Sequence, residues 1–339
     1  MIEQKHKRRR LVVLSLLLGF ALLISFGTGA ATFVLEAMFS WLGLLFKGGQ
    51  AQLDPVARAV FMEIRLPRMT LGLLVGATLG CAGALTQAIF RNPLAAPGLI
   101  GVSSGASFGA ALCIVFLPMV PLPLAAFAGS LGVSALVVRL ARREYTTDIQ
   151  ILLLLGIAIN ALVGAALGLL IYMADDTQLR DLTFWTLGSL SGVQWDKIIL
   201  VGPVQLACLV LSPLLARSLN AFSLGENHAL FLGFQVERIK AFAFVLITLQ
   251  VGVGVAVTGM IGFIGLVAPH ISRLLLGADH RYSLLGSMLM GGLLLVVADA
   301  VARVIVAPAE LPVGILTSLM GAPFFISLIR KSQRGDASC

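Results

Sequence analysis

Long apolar stretches recur along this chain and are separated by short polar segments. A helix needs about 20 mostly apolar residues to cross the roughly 30 Å hydrocarbon core of a bilayer. None of the stretches shows the two-residue alternation of a barrel strand, so helices are favoured over a β-barrel. The pattern predicts an all-α polytopic membrane protein with ten spans, at residues 11–33, 66–89, 98–117, 122–141, 149–173, 199–219, 239–259, 261–276, 283–306 and 312–329.

The composition excludes an ordinary soluble protein. Hydrophobic residues make up 58% of the 339 positions and charged residues 12%, whereas about 25% of the residues in a soluble domain are charged. We therefore expect one transmembrane domain over residues 1–339, with no separate soluble module. The cysteines have neither metal-type nor redox-motif spacing and are interpreted as small hydrophobic residues: Cys81, Cys113, Cys208 and Cys339.

The distribution of charge predicts how the chain sits in the membrane. The net charge is +8, and a basic cluster at residues 5–10 precedes the first apolar stretch. This start resembles a signal peptide, but we expect it to be retained as the first span. With the N-terminus in the cytoplasm, 17 of the 24 Lys and Arg residues lie on the cytoplasmic side. Basic loops resist translocation, so both termini are expected in the cytoplasm, and nucleic acid is not expected as a partner.

Small residues mark helix faces that can pack closely. Glycines recur about once per helical turn at Gly72, Gly76, Gly80 and Gly83, and again at Gly101, Gly105 and Gly109. Such faces let backbones approach in lipid, and packing within the chain is favoured over a dimer seam. A weak echo of residues 80–93 in residues 259–270 suggests inverted repeats of spans two to five and seven to ten.

Two segments outside the membrane are expected to be structured, and a third is the longest cytoplasmic loop. Residues 34–65 form an outer segment, and a helix near residues 175–190 lies at the outer interface with its aromatic face towards the membrane. Within that helix, Arg180 either pairs with a neighbouring aspartate or steers an anionic cargo. The loop 220–238 is the longest cytoplasmic segment, and its short amphipathic stretch either lies on lipid or seats in a partner.

Motifs in three places carry a resemblance to a known family. The first comprises residues 65–68 (Arg-Leu-Pro-Arg) and 91–102 (Arg-Asn-Pro-Leu-Ala-Ala-Pro-Gly-Leu-Ile-Gly-Val), the second residues 262–274, and the third residues 299–303, 310–314 and 321–325. Their order and spacing closely resemble the FecCD family, the permease subunits of ABC importers for ferric siderophores, haem and cobalamin. The resemblance extends from about residue 60 to residue 330, and residues 178–190 look most like the haem-importing members.

The resemblance implies a type II importer permease that moves haem, or another iron chelate, from periplasm to cytoplasm by alternating access. The alternative is a ferric-siderophore or cobalamin permease. An ion-coupled secondary transporter would want ionisable groups at span centres, and none is clearly placed there. No Walker A sequence is present, so the chain is not expected to be an enzyme or to bind a cofactor or metal.

The implied setting is the bacterial inner membrane. A separate ATPase would use ATP with Mg²⁺. The expected partners are a second copy of the chain, two ATP-binding subunits, a periplasmic substrate-binding protein and membrane lipid.

The resemblance also assigns roles to individual residues. Docking of the binding protein is expected at Arg65, Arg68 and Arg303, for which snorkelling to headgroups is the ordinary alternative. ATPase coupling is expected at Leu224, Gly225, Glu226, Ala229, Leu230 and Gly233. The periplasmic gate region is expected at Arg180, Phe184 and Trp185. The structural motifs are Asn92, Pro93, Pro97, Gly98, Pro269 and His270, with Pro269 ending or kinking the eighth span and His270 packing rather than binding metal. No catalytic residue is expected.

Overall fold

The computed structural model describes residues 2–27, 55–143 and 146–336, and they are almost entirely helical. A π-helix at Val60–Arg65 joins α2 to α3, and 3₁₀ turns at Pro97–Ile100 and Ser212–Leu215 precede α4 and α9. The α-helices are α1 (Ile2–Gly27), α2 (Pro55–Ala59), α3 (Leu66–Ile89), α4 (Val102–Phe116), α5 (Leu122–Ala141), α6 (Ile149–Met173), α7 (Asp176–Thr186), α8 (Trp195–Leu211), α9 (Ala216–Phe222), α10 (Glu226–Phe231), α11 (Val236–Thr258), α12 (Ile264–Leu276), α13 (His280–Ile305) and α14 (Val313–Asp336).

The predicted spans coincide with these helices. By length and composition, seven helical segments of the described chain are long and apolar enough to cross a membrane. The predicted third, eighth and tenth spans correspond to shorter apolar helices, namely α4, α12 and the stretch 313–327 of α14. The all-α membrane architecture is therefore confirmed, with three of the ten predicted spans shorter than a full crossing.

Two local predictions differ from the structure. Residues 55–65, expected in an outer segment, continue α3 backwards as helix, whereas residues 34–54 of that segment lie outside the described residues. The π-helical turn stands directly before Pro67, whose missing N–H interrupts the α-helical hydrogen-bond pattern without ending the helix. In addition, β1 (Arg142–Arg143) and β2 (Thr146–Thr147) form a short antiparallel hairpin that the hydropathy pattern did not indicate.

The bundle is organised around α3 and α11. Most of α3 and α11 is buried, whereas the apolar faces of α1 and α6 are largely exposed. α3 packs against α13, α12, α11 and α8, while α4 and α5 pack against each other and α6 covers α4. From Val12 onwards the exposed side chains of α1 are mostly apolar, and so are those of α6, as expected of helices that face lipid.

Glycine contacts join α3 to α13 and α4 to α5. A Cβ on Gly76 would lie 2.5 Å from the carbonyl oxygen of Gly291, and one on Gly291 would lie 2.1 Å from that of Gly76. Gly105 and Gly129 make the same reciprocal contact between α4 and α5, at 2.4 and 2.2 Å. The Cα hydrogens therefore point at the facing carbonyls, a recurring contact between closely packed helices. Packing of both glycine sets within the chain is confirmed.

The tightest of these contacts predicts a large effect of a single methyl group. A Cβ on Gly83 would lie 1.7 Å from the carbonyl oxygen of Gly265 in α12. Gly83→Ala is therefore expected to force the helices apart and to cost about 1–3 kcal/mol of stability. Gly164→Ala, in α6 with nothing within 4 Å, is the matched control. Thermal unfolding in detergent measures both, and equal transition temperatures would contradict the close packing.

The two halves of the chain resemble each other in helix length rather than in the sequence echo. α3 and α11 have 24 and 23 residues, and the short helices α4 and α12 have 15 and 13. A left-handed residue precedes each short helix, Gly101 before α4 and Phe263 before α12. The echo itself does not superpose, because residues 80–83 lie inside α3 whereas residues 259–262 lie in the connection between α11 and α12.

Pro269 was expected to end or kink the eighth span, and the structure excludes the first of these alternatives. α12 continues through Pro269 to Leu276. Proline cannot donate to the carbonyl four residues earlier, which here belongs to Gly265. That carbonyl faces Gly83 of α3, so the helix loses one internal hydrogen bond at the point where a neighbouring backbone covers it.

Candidate functional site

Two polar clusters lie at opposite ends of α3. The arginine cluster consists of Arg65, Arg68, Asp299, Arg303 and Glu310 and stands where α3 begins. The second group lies beyond the other end of α3, around α10. There Nη1 of Arg91 lies 3.8 Å from the position that a Cβ on Gly225 would take. Since 24 helical residues extend about 36 Å, the two groups lie on opposite surfaces of the bundle.

The arginine cluster is an internal ion-pair network. Arg68 contacts Asp299 at 2.9 Å and Glu310 at 2.8 Å, and Arg303 contacts Asp299 at 3.2 Å. The side chains of Arg68 and Asp299 are 7% and 3% exposed. Charges this deeply buried persist only when they are paired and hydrogen-bonded. The cluster therefore joins α3, α13 and the segment before α14.

The remaining donors of the cluster bind the end of α1. Arg65 donates to the carbonyl of Phe26, and Arg303 donates to the carbonyl of Ser25 at 3.0 Å. The arginines predicted as a docking face are thus turned inwards and buried. They do not stand out towards solvent, and each has a structural role in the described chain.

Glu310 is the most exposed member of the arginine cluster, with 43% of its side chain exposed. Burial favours its neutral form, but the hydrogen bond and charge of Arg68 and a hydrogen bond with Ser191 outweigh it and hold the pKa of Glu310 below its usual value. The pair with Arg68 is therefore intact at neutral pH and weakens only as the pH falls through that lowered pKa.

Glycines shape the loop that contains α10, as the sequence indicated. Gly225 precedes the helix with φ 109° and ψ 153°, a conformation essentially restricted to glycine. At the other end, Phe234 donates to the carbonyl of Ala229 and Gly233 donates to that of Leu230. This pair of bonds is a Schellman motif, which explains the positive φ of Gly233.

The outer side of α10 is apolar and exposed, while its inner side is packed. Ala229 is fully buried against Phe222 and Val236. Four large apolar side chains point outwards, with Phe231 91% exposed; the apolar rim consists of Leu224, Leu230, Phe231 and Leu232. A contiguous apolar surface beside charged residues is typical of a protein-binding site.

A buried lysine ties α10 to two other segments. Lys240 of α11 is 2% exposed and contacts Glu226 at 2.7 Å and Glu237 at 3.0 Å. It also donates to the carbonyl of Thr147 at 2.8 Å, while the N–H of Thr147 donates to Glu237. This lysine cluster, comprising Lys240, Glu226, Glu237 and Thr147, connects α10 to α11 and to the hairpin that precedes α6.

The predicted break after α3 is present. Asn92 closes a turn by accepting from the N–H of Leu94 at 2.9 Å, and Pro97 opens the 3₁₀ turn that precedes α4. The amide of Asn160 in α6 donates to the carbonyl of Gly98 at 3.0 Å and thereby holds this turn against α6. Pro93 lies between the two turns, so the motif shapes a compact connection.

His270 packs, as expected, against an aromatic ring. Its imidazole meets Phe324 of α14 edge to face, with centroids 6.0 Å apart. Among the described residues, no group of three or more His, Cys, Asp or Glu side chains could hold a metal ion. The three cysteines in the described part of the chain are free and buried, and Cys339 lies outside it.

α7 occupies the residues of the predicted interfacial helix. Asp175 and Gln178 form a capping box at its start, and Leu182 packs into a small core with α4. Arg180 is exposed and has no ion-pair partner among the described residues, so pairing with a neighbouring aspartate is not found. Phe184 is 61% exposed, whereas Trp185 packs against the main core.

Two features of the site were missed by the sequence analysis. Lys240 was counted only as a cytoplasmic charge, although a lysine three residues after Glu237 on one helix face is a signal for an ion pair. The anchoring of Arg65 and Arg303 by the carbonyl end of α1 had no signal in the sequence, because those partners are backbone atoms distant along the chain.

The chain is similar to known proteins. The FecCD transport family matches residues 9–331. The chain is 46% identical to the hemin transport system permease protein HmuU of Yersinia pestis over 281 residues, 81% of this chain and 84% of HmuU. It is 34% identical to the vitamin B12 import system permease protein BtuC of Vibrio vulnificus over 337 residues, 98% of each chain.

A solved structure has the same fold. It is described as an inward-facing conformation of a metal-chelate type ABC transporter, and it superposes with a TM-score of 0.84 at 34% identity. The superposition covers 96% of this chain and 99% of that one. The ten helices that correspond to predicted spans therefore form a known permease architecture.

Proposed function

The chain belongs to the FecCD transport family of ABC importer permeases, and from that premise we propose that its cargo is haem, carried from periplasm to cytoplasm by alternating access. Permeases of this family are not enzymes, and a separate subunit hydrolyses ATP. The proposal of haem rests on one observation, the 46% identity to the hemin permease HmuU. The likeness to BtuC makes cobalamin the second candidate cargo.

The proposed assembly places two copies of the chain in the bacterial inner membrane with both termini in the cytoplasm. Two ATP-binding subunits sit below them and one substrate-binding protein sits above. The apolar rim on α10 supports the position of the ATPase, because it is an exposed hydrophobic surface on a segment expected in the cytoplasm. Exposed Arg180 at the opposite end is proposed to attract the anionic propionates of haem.

In the proposed mechanism, closure of the ATPase moves α10 and the lysine cluster carries that motion into the membrane. The cluster links α10 to the hairpin at Arg142–Thr147, which leads directly into α6. α6 in turn holds the turn at Gly98 through Asn160. A shift of α10 therefore reaches the helices beside the proposed pathway through contacts of about 3 Å.

Co-purification and reconstitution test this function. We expect the tagged chain to purify with an ATPase subunit and to import haemin into vesicles only when ATP and the binding protein are present. The chain alone should be inert. Uptake against a gradient by the chain without any ATPase would refute the permease assignment, whereas equal uptake of cyanocobalamin and haemin would refute haem as the specific cargo.

Gly225→Ala is expected to uncouple ATP hydrolysis from transport. Alanine is strained at φ 109°, ψ 153°, at a cost of about 1–3 kcal/mol, so the start of α10 must shift. Gly192→Asn, outside the loop that contains α10, is the matched control, because asparagine tolerates the left-handed conformation at φ 66° and nothing lies within 4 Å. The ratio of cargo moved to ATP hydrolysed should fall several-fold for Gly225→Ala only. An unchanged ratio in both variants would argue against a coupling role.

We also propose that the binding protein docks at Arg65, Arg68 and Arg303 after the arginine cluster has rearranged to expose them. Three cations and two anions leave a net positive charge there, which an acidic binding protein would be attracted to. The double variant Arg65→Glu/Arg303→Glu is expected to slow association of the binding protein at least ten-fold and to reduce uptake. Arg303→Lys keeps the charge and serves as the control. Unaltered association in a double variant that remains folded would remove the proposal.

A further inference from the structure

An apolar groove runs along the surface between α1 and α13. Two cavities of about 400 and 610 Å³ lie end to end in it and share Leu17 and Leu293 in their walls. On α1 the lining residues recur every three or four positions, from His6 through Val13 to Ile24. This spacing places them on one face of the helix, so the two cavities form a single groove.

One end of the groove is basic. His6, Arg9 and Arg10 form its mouth, followed inwards by Val13 and Leu17. From Arg9 to Leu17 the helix rises about 12 Å, slightly less than half the roughly 30 Å hydrocarbon core. The groove therefore combines a cationic mouth with an apolar wall at least as deep as one leaflet.

Other basic side chains near the mouth are already engaged. Arg10 donates to the carbonyl of Leu275 at the end of α12, and the ammonium group of Lys7 lies 5.8 Å from the ring centroid of Tyr282. Arg9 is exposed and has neither a hydrogen-bond nor an ion-pair partner among the described residues. Its guanidinium group is thus the member of the mouth that can bind an additional anion.

We propose that this groove is a binding site for one anionic phospholipid. Its phosphate is held by Arg9, with Arg10 and His6 beside it, and its acyl chains lie along Val13, Leu17 and Leu293. Basic pockets between membrane helices at the cytoplasmic surface are suited to anionic headgroups. The leaflet follows from the proposed orientation of the chain; the site itself does not depend on the transport function.

The shape of the groove favours a lipid over a soluble anion or a second protein chain. A soluble phosphate would use the mouth but would leave the apolar wall without a partner. A second copy would bring its own α1 with the same basic cluster, and like charges would then oppose each other. A phospholipid satisfies both parts, since it carries an anion and apolar chains on one molecule.

The test measures lipid retained by the assembled transporter. The complex is reconstituted in vesicles of phosphatidylcholine with phosphatidylglycerol, extracted in mild detergent, and its bound lipids are counted by native mass spectrometry. Arg9→Gln is compared with Arg8→Gln, the matched control, because Arg8 is the exposed neighbour that does not line the groove. Leu293→Trp fills the wall, and its thermal unfolding in phosphatidylcholine alone reports whether it folds.

We expect the wild type to retain phosphatidylglycerol in preference to phosphatidylcholine. Arg9→Gln should lower this retention about five-fold, the factor that corresponds to about 1 kcal/mol per basic residue near an anionic surface, while Arg8→Gln leaves it unchanged. Folded Leu293→Trp should lose it as well. Equal losses in Arg8→Gln and Arg9→Gln, no preference over phosphatidylcholine, or displacement by millimolar inorganic phosphate would each overturn the proposal.

Discussion

Replacing Arg68 by methionine is expected to lower the free energy of unfolding by about 3 kcal/mol. The substitution leaves the carboxylate of Asp299 buried with only Arg303 as counter-charge, and it removes the partner of Glu310. Breaking a buried ion pair by removing one member costs about 3–5 kcal/mol, and the remaining contact of Arg303 places the cost at the lower end. Denaturant or thermal unfolding in detergent measures the loss.

Two further variants separate burial of charge from loss of side-chain volume. Arg58→Met removes an exposed arginine from α2 and should change stability little. The double variant Arg68→Met/Glu310→Gln removes the carboxylate that has lost its ion-pair partner and leaves Asp299 paired with Arg303, so it should recover part of the loss. If Arg68→Met unfolds at the same temperature as Arg58→Met, the network does not stabilise the fold, and an exposed docking role for Arg68 becomes the better account.

The architecture was predictable because the bilayer restricts it strongly. A lipid-facing segment must satisfy its own backbone, so hydropathy alone located helices at all ten predicted positions. The close contacts of Gly76 and Gly105 were also predictable, since their spacing repeats with the helical turn. The lengths of the helices were less predictable, since α12 has only 13 residues. In addition, no pattern in the sequence indicated the π-helical turn that extends α3 towards the N-terminus.

The site was predictable where it depends on backbone conformation and not where it depends on burial. Gly225 and Gly233 were identified because they bracket the short amphipathic stretch that forms α10, and both have a positive φ in the structure. Arg65, Arg68 and Arg303 were identified as one group. The inward orientation of Arg65 and Arg303 depends on α1, whose Phe26 lies 39 residues before Arg65, and that of Arg68 depends on Asp299 and Glu310. Pairing partners so distant leave no local pattern. Among the partners of Lys240, the carbonyl of Thr147 is distant in the same way, whereas Glu237 lies only three residues away and gave a local signal.

Replacing Lys240 by methionine is expected to abolish most coupled transport while ATP hydrolysis continues. Lys240 is the shared partner of Glu226 in α10, Glu237 in α11 and the carbonyl of Thr147 in the hairpin. Without it, two carboxylates repel each other at the point where α10 meets the bundle. Since about a third of each carboxylate side chain is exposed, the stability cost should be about 1–3 kcal/mol, below that of a fully buried pair.

The controls follow from the geometry of the lysine cluster. Arg238→Met removes an exposed charge from the same helix and should leave cargo moved per ATP unchanged. Glu226→Gln/Lys240→Met removes one of the repelling carboxylates and should restore stability without restoring transport, because the link from α10 to Thr147 stays broken. Transport that recovers together with stability in this double variant would mean that Lys240 only holds the loop in place, and the path of coupling would then have to run through the apolar contact of Ala229 with Val236.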